Sequence, residues 1–150
     1  MKSKLKEYVK DKEIAEIAIT YGKETFAFNL FDELIISEAK LQDALESQPS
    51  YYAFLGMLSN NLRRKKEDLE LEKDKLFSKK YLQLKESLNP MTSMPYSDEY
   101  IRSKLMKNLD FVTLREQVTK INYDINRLQT CLTAFQQRSE LIKSLIYKNR

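Results

Sequence analysis

The chain has 150 residues, 26 of them Lys or Arg and 22 Asp or Glu, for a net charge of +4. It has no His and no Trp, one Cys, two Gly and three Pro. This is one domain's worth of chain; without imidazoles it lacks the usual neutral-pH base and His-based metal sites, Cys131 alone makes neither an internal disulfide nor a cysteine zinc cage, and the distant Gly22 and Gly56 cannot build a phosphate-cradling loop.

Catalysis by carboxylates alone needs a pair of acids in an apolar setting that drives their pKa values apart, and the sequence offers none. The expectation is a protein that is not an enzyme and carries neither cofactor nor metal. The opening MKSKLKEYVKDKE leads into no apolar signal-peptide core, and no stretch approaches the ~18 uncharged apolar residues of a membrane span. With a lone cysteine besides, a cytoplasmic protein that does not engage membranes is expected. Successive fifty-residue thirds carry net charges of −3, +1 and +6, which points to two surfaces with different partners or to self-association through unlike ends.

In chain order, an N-terminal segment (1–48) precedes a long α-hairpin (50–150). Within residues 16–30, Ile17 and Ile19, then Phe26, Phe28 and Leu30, alternate on either side of Tyr21-Gly22-Lys23-Glu24. That is a β-hairpin signal, with a single amphipathic helix as the competing reading. A short helix over 38–46 follows, capped by Ser37 and closed by Pro49, because the residue before a proline is pushed out of the α region. Residues 50–88 contain no internal breaker, residues 89–97 hold two prolines, and Ser97-Asp98-Glu99 is suited to starting a last helix over 98–147. The fold class expected is mainly α: a long antiparallel helical hairpin assembling into an oligomeric ring, with a small N-terminal β-hairpin or extra helix.

The last helix carries the strongest periodicity. Phe111, Leu114, Val118, Ile121, Ile125, Leu128, Leu132 and Phe135 are spaced alternately by three and four, and Ile142 and Ile146 continue the register. Such an a/d seam drives supercoiling with a partner helix. Within the chain that partner is 50–88, where Leu55, Leu58, Leu62, Leu69, Leu76, Leu84 and Leu88 form a thinner stripe. Further apolar groups lie off the seam (Ile101, Leu105, Met106, Leu109, Val112, Tyr123 and Leu145), so apolar surface exceeds what one partner covers. The reading is homo-oligomerisation through the seam residues Phe111 to Ile142, and the alternative is that the N-terminal ribbon and short helix fold back to cover it. Cys131, beside Leu132, reads as buried packing.

The working surface is basic. Lys66, Lys73 and Lys80 recur every seven residues along one edge of the first long helix, thickened by Arg63, Arg64 and Lys65 at its start and by Lys79 and Lys85 near the turn. Arg102, Lys104 and Lys107 open the second helix, with Tyr81, Tyr96 and Tyr100 among these charges. Phosphates call for positive groups repeated along a rigid track, and unpaired bases for π faces. The same run also holds Glu67, Asp68, Glu70, Glu72 and Asp74, and mixed-sign runs are ordinarily solvated helix faces laced with i,i+4 pairs. A helical-hairpin adaptor or assembly chaperone that binds only protein is therefore the alternative.

The order Ile36-Ser37-Glu38-Ala39-Lys40-Leu41-Gln42, then Ala44, Tyr52 and Leu55, resembles phage recombination mediators of the UvsY type. The C-terminal helix is similar too, including Leu105, Asp110, Leu132, Ala134, Arg138, Ile142 and Lys143. The resemblance spans roughly residues 35–147 and implies an all-helical oligomeric ring. Such proteins bind single-stranded DNA, displace or remodel the single-strand-binding protein and help load a RecA-class recombinase. It also implies a DNA-contacting basic element late in the first long helix, here Phe77-Ser78-Lys79-Lys80-Tyr81-Leu82. Lys80 matches a basic position, whereas Leu82 stands where a second is expected, leaving Lys79 or Lys85 to substitute. Lys66, Lys73, Lys79, Lys80 and Lys85 are the first-choice phosphate contacts, and Arg63, Arg64, Arg102, Lys104 and Lys107 the second.

Overall fold

The computed structural model of the chain describes residues 16–29 and 41–148. It contains strands β1 (Glu16–Tyr21) and β2 (Glu24–Asn29) and helices α1 (Leu41–Glu86), α2 (Asp98–Met106) and α3 (Leu109–Lys148). Residues 63–123 form one compact unit; the described residues up to 62, together with 124–148, form another. Leu30, Ser37 and the start of the short helix expected over 38–46 lie outside the described residues.

The alternating segment is the hairpin. β1 and β2 pair antiparallel, from Glu16 opposite Asn29 to Tyr21 opposite Glu24. Gly22 takes φ +66°, the left-handed conformation that a tight two-residue turn needs and glycine adopts without steric cost. The register pairs Ile17 with Phe28 and Ile19 with Phe26, so these four share a face; Ile17 and Ile19 are buried. Thr20 and Thr25 pair their hydroxyls at 3.2 Å on the exposed face. Two strands alone are marginal, and here Phe26 packs edge-on against Phe54 of α1 with ring centroids 5.3 Å apart.

Two boundaries differ from those expected. Pro49 does not close a short helix; it lies inside α1, which runs on to Glu86. A proline in a helix interior costs about 3 kcal/mol through the lost N–H and ring clash. Tertiary anchoring offsets it: the adjacent Gln48 is buried, donates through Nε2 to the Phe135 carbonyl at 2.6 Å, and accepts from the Arg138 guanidinium at 2.5 Å. The last helix is also not continuous over 98–147. Lys107 ends α2 in a C-cap, and Asn108 opens α3, its Oδ1 accepting from the Phe111 N–H at 3.2 Å. Asparagine offers the backbone an alternative partner and so interrupts a helix that has neither Gly nor Pro.

In each unit α1 and α3 pack together. Tyr51 stacks on Phe135 at 5.7 Å in one, and Phe77 meets Phe111 at 5.6 Å in the other. Within 63–123, Lys66 meets Asn122 while Lys80 meets Asp110, so the helices run antiparallel. The seam is largely spent inside the single chain. Phe111, Ile121, Ile125, Leu128, Phe135 and Ile142 are buried, and Leu114, Val118 and Leu132 half-buried. Of the apolar groups expected to be in surplus, Ile101 and Leu105, both on α2, are buried as well. Those left facing out include Leu109, Tyr123, Leu141 and Tyr147.

Candidate nucleic-acid interface

The basic residues of the long helices gather in the unit formed by 63–123, on three elements. α1 supplies the lysine track. Its seven-residue recurrence sets Lys66, Lys73 and Lys80 on one edge, and all three are half-buried there. Lys66 donates to the Asn122 side chain at 3.0 Å and lies 4.0 Å from Glu70; Lys80 lies 3.9 Å from Asp110. The Lys66 and Lys80 ammonium groups are thus turned along the α1–α3 contact, where exposed pairing contributes little to stability.

Lys79 and Lys75 instead flank a shallow groove of about 630 Å³, with Glu72 and Leu76 on the same helix and Asp110, Thr113, Leu114 and Gln117 across it. Lys79 is exposed. Two lysines and two carboxylates share the groove, so its field is mixed. Arg63 and Arg64 are exposed at the start of the track.

A polar clamp closes the end of α1 onto α2. Lys85 forms an ion pair with Asp98, and Tyr81 Oη donates to the same carboxylate at 2.8 Å. The hydrogen bond from Lys85, then that from Tyr81, holds the Asp98 carboxyl below its ordinary range. Reciprocally, the bond to Asp98 pushes both the Lys85 ammonium and the Tyr81 phenol up. Lys85 is thereby a brace of the turn more than a free phosphate contact. Asp98 is the residue that sequence reasoning missed in this role: it was legible as a helix-start acid, and its position just after the N-cap is what aims it back at α1.

The turn itself is tightly bonded. Leu88 bridges Pro95, the Asn89 N–H donates to the Met94 carbonyl at 2.8 Å, and Ser93 adopts φ +56°. Ser97 caps α2 by accepting from the Tyr100 N–H at 3.2 Å. The rings of Tyr96 and Tyr100 stack at 4.8 Å, and the Lys104 ammonium stands over Tyr100 at 5.8 Å from its centroid. Arg102, Lys104 and Lys107 are all exposed.

In the other unit, a pocket of about 410 Å³ is lined by Thr25, Phe26, Phe28, Tyr51, Phe54 and Phe135, among others. It has no charged lining and is no place for a phosphate. Cys131 is fully buried there, and burial pushes its thiol up to about 11, so it is an inert packing group. Among the described residues no group of three or more His, Cys, Asp or Glu is placed to hold a metal ion, and no helix is long and apolar enough to cross a membrane.

No family model matches the sequence, and no curated protein matches it. Solved structures do. Three crystal structures of the bacteriophage T4 recombination mediator protein UvsY, in three lattice types, align with TM-scores of 0.64, 0.64 and 0.65. The chain shares the UvsY fold. Sequence identity is only 14–15%, yet the alignments cover 80% of this chain and 89–92% of UvsY. The expected resemblance to UvsY-type proteins therefore holds at the level of fold, across nearly the whole of UvsY.

Proposed function

We propose that the chain is a non-enzymatic recombination mediator. It binds single-stranded DNA on an oligomeric helical scaffold and, in the cytoplasm, promotes loading of a RecA-class recombinase in place of single-strand-binding protein. The observation that carries this reading is the fold shared with UvsY over 80% of the chain. The chemistry of the unit 63–123 supports it: Arg64 and Lys79 are exposed along α1, and Arg102 and Lys107 are exposed beyond the turn. Each phosphate contact releases condensed counterions, so modest patches gain affinity when several copies present them along one strand.

The test is an anisotropy titration of the full chain with a single-stranded oligonucleotide at two salt concentrations, beside sedimentation of the protein alone. A mediator of this kind binds with a steep salt slope and sediments as a species heavier than 17.8 kDa. Absence of binding at low salt by folded protein overturns the reading in favour of a protein-only adaptor, for which the acids within the groove, Glu72 and Asp110, already speak.

A further inference from the structure

We propose that the tip of the hairpin holds an unpaired nucleobase on the Tyr100 ring, with Lys104 and its neighbours on the adjoining phosphates. The inference rests on the mediator reading and adds to it a site that the lysine track does not contain. Four observations place it. Tyr100 is 45% exposed although one partner ring, Tyr96, already lies parallel to it at 4.8 Å. The Lys104 ammonium stands 5.8 Å from the Tyr100 centroid, and no carboxylate among the described residues pairs with it. Arg102 lies one turn of helix before the exposed Met106, and Lys107 caps the helix, so α2 and its C-cap carry three exposed cations within six residues. Finally, the segment beneath is braced by the Leu88–Pro95 bridge and by the Lys85–Asp98–Tyr81 clamp.

A packing role alone accounts for only part of this. A hydrophobic residue just before an N-cap commonly packs onto the first turns of its helix and fixes the entry of the chain, and Tyr96 before Ser97 does so. That role needs neither an open ring nor a cation over it. A base has a π face of the same size and stacks on an aromatic ring without regard to sequence. An ammonium over a ring is attracted to it only weakly when solvated, so an arriving base displaces Lys104, which then reaches a phosphate on its flexible stem. Bracing matters because a stacking surface fixed before binding loses little conformational entropy when the strand arrives. Met91 and Met94, 94% and 67% exposed, add soft apolar area on the turn.

The test compares two probes with equal phosphate number: an oligo-dT strand and a strand of the same length made of abasic sites. Wild-type chain should bind the dT strand about tenfold more tightly than the abasic one. Tyr100→Ala should reduce that ratio to about one while leaving affinity for the abasic strand unchanged, and Tyr100→Phe should preserve it. Equal wild-type affinity for the two probes overturns the stacking site and leaves the mediator reading standing. So does a Tyr100→Ala variant that keeps the preference, or that loses both probes in equal measure. Wild-type binding to neither probe overturns the mediator reading, and this inference with it.

Discussion

The two compact units use the same pair of long helices in different ways. Of the fourteen buried apolar residues described, ten belong to the unit that carries the hairpin and only Ile101, Leu105, Phe111 and Ile121 to the unit 63–123. The first is held by rings and aliphatic chains and is internally anchored by the Gln48–Arg138 bonds. In the second, lysines reach Asn122 and Asp110 across the α1–α3 contact and an exposed ion pair spans the turn, pairings that orient side chains more than they stabilise. Stability follows apolar area, while affinity for a polyanion follows exposed charge. A helix pair that concentrates one at each unit can change its surface in 63–123 without unfolding the other.

That division can be broken most forcefully at Phe135. It is fully buried, stacks on Tyr51 and lines the apolar pocket. Phe135→Ala is expected to cost about 3–5 kcal/mol, read as a shift in the denaturant midpoint with no first-order effect on charge-driven binding. Gln48→Ala should cost less, about 1–3 kcal/mol, because it removes the acceptor of the buried Arg138 guanidinium and one of the donors to the Phe135 carbonyl. In the charged unit the expectation reverses. Lys79→Glu with Lys80→Glu should weaken single-strand binding about tenfold and flatten its salt dependence, while the denaturant midpoint stays within the small range of surface changes.

The gentlest probe is pH at the clamp. Asp98 is held below its ordinary range, so its contribution is complete above that range and is lost as pH falls through the lowered value. Lys85 is held above its ordinary range, so its share is complete below that range and is lost as pH rises through the raised value. Asp98→Asn should therefore change the thermal midpoint only slightly, and should remove the acid-side loss of order at the turn that is expected of wild type, with amide exchange of residues 88–97 as the measurement.

What the residues themselves revealed differs between the units for the same reason. The hairpin was legible because alternation at Ile17, Ile19, Phe26 and Phe28 and the glycine at the turn are local signals. The long helices were legible from sustained spacing without breakers. Pro49 misled because local preference was overridden by a buried hydrogen-bond pair, Gln48 with Arg138, that lies 90 residues apart. Asn108 misled in the opposite sense, since an asparagine ends a helix only where its side chain finds the N–H two or three residues on. The seven-residue recurrence of Lys66, Lys73 and Lys80 correctly placed them along one edge. Which of the basic residues are engaged was not legible, because, beyond the i,i+4 approach of Lys66 to Glu70, the partners sit from 13 residues away for Lys85 to 56 for Lys66. Only the register between the helices decides that pairing.

The interruption at Lys107-Asn108 has a consequence for how such a chain tolerates change. Heptad phase on α3 starts afresh at Asn108, so residues added or trimmed within the loop before Ser97 leave the rows of core side chains beyond it in step. Length is therefore tolerated in that loop, whereas α2 must keep Ile101 and Leu105 in their buried places and Asp98 against Lys85 and Tyr81.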